Sequence, residues 1–224
     1  DPRESSDQGP IDKNLVATTE DSLQIERTND MAGKWGLRLQ LSPDFTSVSG
    51  SGPDKPGINT GLTIDYSINS NFVLSTGAIY TRKKYTGYDL EYEYNSRKYT
   101  EDEVFGDCRM LDIPINLYYR FNTKGNLRLF VGAGVSSYIL FSEYYTYYVS
   151  TGYGQRVINQ SVTNENRSLF SQLNLSVGLE KRVKPNLAFQ IEPFLKAPLS
   201  GVGEGQVGLA SYGAFFTMKY YFKK

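Results

Sequence analysis

The chain contains no histidine. That removes the imidazole on which hydrolytic triads and dyads depend, and with it the commonest nitrogen ligand of metal sites. Its single cysteine, Cys108, excludes an internal disulfide and any paired-thiol site. Carboxylates and tyrosines are what remain for chemistry. Glu91 with Glu93, and Glu101 with Asp102 and Glu103, lie close enough in sequence for acid–base work or for holding Ca²⁺. Their spacing fits no defined calcium loop, and they sit in a charged stretch that reads as solvated surface. The expectation is a non-enzyme, with no catalytic residue, no metal and no cofactor. The 24 basic residues are balanced by 24 acidic ones, so no excess is left for phosphate backbones and no nucleic-acid partner is expected.

A second group of charges is spaced differently. Arg38, Asp65, Asp112, Arg120, Arg128, Glu180, Glu192, Lys196 and Lys219 each occupy the polar phase of a segment in which apolar and polar residues alternate strictly. Strict alternation is the mark of a β-strand with two unlike faces. It begins at Trp35, Leu37, Leu39 and Leu41. It recurs in segments beginning near Ile58, Phe72, Leu111, Leu127, Leu173 and Leu187, and it ends on Tyr212, Ala214, Phe216, Met218, Tyr220 and Phe222. The segment 72–82 is the weakest, because Val73 and Ile79 spoil its contrast. Eight strands result. Connections after the second, fourth and sixth are short (69–71, 122–126, 183–186). Those after the first, third, fifth and seventh are long (43–57, 83–108, 143–167, 197–208).

Eight antiparallel strands with short turns at one end and long loops at the other predict an all-β transmembrane barrel, with periplasmic turns and extracellular loops. Mean hydropathy is −0.43. No apolar run approaches the ~18 residues of a membrane helix. In a membrane barrel the apolar phase faces lipid and the charged phase faces the lumen. The nine alternating charges are then a lumen ion-pair cluster. Trp35, Tyr66, Tyr119 and Phe121 form an aromatic girdle, and glycines on the polar phase suit a crowded interior.

Ten of the 18 tyrosines fall in two long connections: Tyr85, Tyr88, Tyr92, Tyr94 and Tyr99, and Tyr144, Tyr145, Tyr147, Tyr148 and Tyr153. Tyrosine offers rigid amphipathic contact area, which makes these candidate extracellular partner contacts. Strands continuing past the membrane as a tyrosine-paired rim would give the same composition.

Gly77-Ala78-Ile79-Tyr80, Leu111-Asp112-Ile113-Pro114 and Phe130-Val131-Gly132-Ala133-Gly134, with the aromatic final strand, resemble the PorT-like outer-membrane β-barrels of Bacteroidota. The resemblance covers about 33–222. It implies an outer-membrane location, and it implies that Tyr220 and Phe222 serve as the C-terminal signal read by the barrel-assembly machinery. Residues 1–32 are polar and lack any period. They are expected to be a flexible periplasmic tether preceding a barrel over 33–224. The expected partners are outer-membrane lipid, the assembly machinery and an envelope protein. The expected function is docking or signalling, in one version as the C-terminal barrel of a membrane-spanning anti-sigma regulator. The alternatives are a stand-alone structural, adhesive or surface-ligand-binding barrel, and a narrow pore.

Overall fold

The computed structural model describes residues 32–48, 55–94, 97–121, 125–151, 154–163, 166–203 and 206–223. At 32–33, 88–94, 97–102, 149–151, 154–155 and 223 only the backbone is described. The tether lies outside the described residues.

Among the described residues nine strands form, all pairing antiparallel: β1 Ala32–Val48, β2 Gly57–Ser67, β3 Phe72–Tyr94, β4 Arg97–Arg120, β5 Leu127–Thr151, β6 Gly154–Thr163, β7 Arg167–Lys184, β8 Leu187–Pro198 and β9 Leu209–Lys223. β4 pairs β5, β5 pairs β7 and β9 pairs β1, which closes an eight-membered ring that leaves out β6. Closure removes the sheet edges that lipid cannot satisfy.

The ring is inside out. Leu39, Leu41, Leu62, Ile64, Ile115, Leu117, Val177, Ile191 and Phe216 face outward and are exposed, while Arg38, Asp65, Glu180, Glu192 and Lys219 are buried. On β1 the outward apolar series runs from Trp35 to Phe45, ten residue steps. At about 3.3 Å per residue and a tilt near 40°, that is an apolar band about 25 Å tall. Aromatic pairs mark its turn-end border: Trp35–Tyr66 at 4.8 Å, Phe72–Tyr119 at 5.2 Å, Tyr119–Phe121 at 5.0 Å and Tyr220–Phe222 at 5.5 Å. All four expected girdle residues thus share one belt. A second belt at the loop end includes the Phe45–Tyr212 stack at 5.5 Å, which the sequence reading did not anticipate.

Val73 and Ile79, which blurred the third segment, point into the lumen. Val73 packs with Tyr118 and Phe130, and Ile79 with Phe194 and Phe215. These apolar layers separate the charged ones. They need space on the neighbouring strand, and a Cβ at Gly132 would come within 2.5 Å of the Tyr118 ring.

Two connections expected to be loops are largely strand. The stretches 83–94 and 97–108 are the outer halves of β3 and β4, and 143–151 and 154–163 form an outward hairpin of β5 and β6. β5 runs 25 residues, against the roughly 9–11 that cross a bilayer. Above the band the outward phase changes from apolar to charged (Arg82, Lys84, Arg109). The contrast with the inward phase (Lys83, Tyr85) vanishes while the extended backbone continues.

Candidate functional site

The lumen is laminated. Nearest the turn end, Lys219 reaches Asp65 at 2.5 Å and Glu180 at 3.9 Å, and Glu180 accepts hydrogen bonds from Gln190 Nε2 and the Tyr221 hydroxyl, each at 2.6 Å. Above this, Arg38 donates to Glu192, which also accepts the Tyr118 hydroxyl at 2.9 Å. A polar floor follows, in which Asn174 Nδ2 donates to Asn116 at 2.9 Å and to Ser136 at 2.8 Å. Next, Lys196 pairs with Asp112, and Lys83 with Asp44 at 2.9 Å. The Tyr138 ring lies 5.8 and 5.9 Å from these two ammonium groups.

Eight of the nine alternating charges are buried in these layers or, for Arg120, beside Ser67 near the turns. The exception is Arg128. It is only half-buried at the turn-end mouth, opposite Glu180 in register. Arg38 pairs with Glu192, and Asp65 with Lys219. Sequence reasoning missed Asp44, Lys83 and Glu143, since all three fall in stretches taken for loops.

An apolar cap seals the loop end. Tyr85, Val104, Cys108, Met110, Leu140, Tyr145 and Tyr147 meet Val48, Val202, Val207 and Leu209 there. Val202 and Val207 exchange backbone hydrogen bonds of 3.0 and 3.1 Å in a turn that folds inward. Gly203 takes φ +74 in that turn, and a Cβ would meet Glu143 Oε2 at 2.5 Å. Glu143 is held by the Tyr145 hydroxyl at 2.5 Å and Asn166 Nδ2 at 2.6 Å. Burial, ahead of the Glu143 charge, pushes the Cys108 thiol up to about 12. Two lumen cavities below the cap measure about 20 and 10 Å³, room for a water or so each.

The cap corrects the tyrosine set. Tyr85, Tyr145 and Tyr147 turn inward and are buried, so no surface partner reaches them. Alternation is the reason: in the pleat of β5, Tyr144 and Tyr148 point out while 145 and 147 point in. Tyr144 is 58% exposed. Tyr88, Tyr92, Tyr94 and Tyr99 lie on the outer halves of β3 and β4 with side chains outside the described residues, and Tyr153 lies outside them altogether. The same holds for Glu91, Glu93, Glu101 and Asp102, whereas Glu103 is half-buried opposite Tyr148. Among the described residues no cluster of potential metal ligands forms.

Above the band, β3, β4, β5 and β6 make a four-stranded sheet whose inner face packs on the cap, Ile158 of β6 included. β6 pairs with β5 and with no other strand among the described residues. Its sequence, Gly154 to Thr163, carries one charge, Arg156, and no proline. Edges normally avoid pairing by means of charge, proline or bulges. Among the described residues this edge has only Arg156 as such a guard.

The sequence profile for the outer membrane protein β-barrel domain matches residues 26–193. The chain belongs to that family. It is an outer-membrane β-barrel. No curated protein matches it. Among solved structures, the barrel is similar to Neisserial surface protein A, with 16% identity, a TM-score of 0.52, and coverage of 85% of this chain and 99% of that one. Ail of Yersinia pestis gives 13% identity, a TM-score of 0.45 and coverage of 85% and 100%. OprG of Pseudomonas aeruginosa gives 10%, 0.43, 87% and 98%. At such identities the likeness concerns the fold alone.

Proposed function

We propose that this barrel is a non-enzymatic interaction module that docks an envelope protein at its loop end, by strand addition to β6. The observation that carries the reading is the open β6 edge of a sheet that extends above the apolar band. An extended segment of a partner gains main-chain hydrogen bonds there and chooses its register by alternate side chains. Val157 and Asn159 on β6, with Tyr144 and Tyr148 on β5, supply the outward face beside that edge. The absence of histidine and the ion-paired lumen support the non-enzymatic half of the reading.

A signalling version rests on the turn end. β1 starts there, with Ala32 opposite Lys223, so a segment preceding Ala32 leaves on the side away from the docking sheet. A tether over 1–32 then joins the barrel to a periplasmic or inner-membrane element. The PorT-like resemblance and a Bacteroidota source belong to this same proposal, as does the role of Tyr220 and Phe222 in assembly.

The test is a mild-detergent pull-down of the native full-length protein, with mass spectrometry of bait and co-purifying proteins. A stoichiometric envelope protein is expected with the wild type and should be lost when Val157→Lys and Asn159→Lys place charge beside the edge. A bait that elutes alone supports a stand-alone adhesive or structural barrel instead, and a partner retained by the charged edge rules out docking at β6.

A further inference from the structure

The outward wall changes character at one height and on one side. Up to Tyr80 on β3 and Leu111 on β4 the outward series is predominantly apolar. The next two rows hold Arg82 opposite Arg109, then Lys84 opposite Asp107. Beside them, at the top of the band, Ile139 of β5 faces Arg167 of β7. On the strands away from the patch, outward residues at the loop end are Pro43, Phe45, Leu195 and Tyr212, none of them charged, and Ile58 of β2, directly opposite Arg82, borders the patch.

Like charges directly opposite each other destabilise a sheet. Asp107 answers one of the arginines. Arg82 donates to it twice, Nε to Oδ1 at 2.9 Å and Nη2 to Oδ2 at 2.5 Å. Burial alone would raise the Asp107 carboxyl, but the Arg82 hydrogen bonds hold it below its ordinary value. One carboxylate among four cations leaves a local positive excess. Beside it, a cavity of about 200 Å³ opens between Asp107, Arg109, Ser142 and Tyr144. Arg109 is exposed and its cross-strand neighbour is Ser142. A guanidinium flanked by two hydroxyls is a donor set for phosphate.

We propose that this patch binds the phosphate of an anionic lipid in the outer leaflet, with Arg109 as its principal ligand and Lys84, Ser142 and Tyr144 around it. Height selects a lipid over a protein or a free anion. The patch stands one row above an apolar band, where headgroup phosphates lie when the band occupies the hydrocarbon. The acyl chains then run down the outward side chains of Leu111, Ile113 and Ile115. Asp107 faces the same cavity. Its pairing with Arg82 keeps its charge from opposing the anion in full.

The experiment uses the barrel purified in neutral detergent and weighed by native mass spectrometry after incubation with diphosphoryl lipid A, or with the same lipid stripped of phosphate. Retention of one phosphorylated lipid per barrel is expected. The stripped form and the Arg109→Ser variant should each retain about ten-fold less, the worth of one charge-assisted hydrogen bond. Lys181→Ser, an exposed change at the turn end, should retain lipid as the wild type does. Gel mobility with and without heating shows that each variant is folded. Equal retention by Arg109→Ser and wild type, equal retention of both lipid forms, or equal loss in Lys181→Ser would each overturn the proposal. Inorganic phosphate binding as tightly as the lipid would assign the cavity to a soluble anion and overturn it as well.

Discussion

Arg38 and Glu192 are 2% and 3% exposed, too deep for water to screen either charge. Removing one member of a buried pair leaves the other desolvated and alone. Glu192→Gln should therefore cost about 3–5 kcal/mol in reversible denaturant unfolding from vesicles. Arg38→Met with Glu192→Met should cost less than Glu192→Gln, because no orphaned charge remains. If the double variant is the less stable of the two, the pair is a net stabiliser rather than a matched liability. Cys108 gives a second residue-level expectation. The folded state keeps its thiol protonated up to about 12, whereas the unfolded chain releases the proton near pH 8.5. The contribution of this group is full below about pH 8.5 and falls as pH rises from there. Wild type should lose stability over that range faster than Cys108→Ala, and maleimide should label Cys108 only after unfolding. Parallel pH profiles for the two proteins would contradict the burial argument.

At the scale of the strand, alternation decides which substitutions matter. Leu62→Arg, Ile115→Arg and Val177→Arg place a cation against hydrocarbon and should each cost about 2–4 kcal/mol. Asn116→Arg and Ser176→Arg face the lumen and should follow the space available rather than depth. Equal penalties on the two phases would refute the inside-out assignment. Gly132→Val tests the layers directly. Its Cβ meets the Tyr118 ring at 2.5 Å, so it should destabilise by about 1–3 kcal/mol, as overpacking does. Tyr118→Ala in the same chain should relieve that specific clash. The band-spanning parts of the strands were legible in the sequence because lipid and lumen impose opposite demands on adjacent residues. The outer halves of β3, β4 and β5 were legible only as the alternative of a tyrosine-paired rim, because water faces one side of them and a mixed cap the other. Lys83, opposite Cys108 on the inner face, and Arg82, opposite Arg109 on the outer, give no contrast to read. Lys83 was missed for that reason, and Tyr85, Tyr145 and Tyr147 were read as outward contacts although they face the cap.

The whole molecule is a closed stack: turn-end aromatics, ion-paired lumen and apolar cap, with a sheet standing above one side. Among the described residues, paired and apolar layers fill the bore and leave cavities of only about 20 and 10 Å³, so planar-bilayer recordings should show no conductance from the wild type. A steady single-channel current would restore the pore reading. The two proposals both lie on outward surfaces: a strand edge for a protein and a cationic patch for a lipid phosphate. Neither surface was legible beforehand. An edge exists only once pairing is known, and Arg82, Arg109 and Arg167 converge only through the registers of β3 to β7. The most direct test of the docking account is photo-cross-linking in living cells, with a photoreactive amino acid placed singly at Val157, Asn159 and Ser161 beside the edge and at Leu62 and Ile115 on the wall. The account predicts one discrete protein adduct from the β6 positions and none from the wall. Adducts confined to the wall, or none at β6, would contradict it.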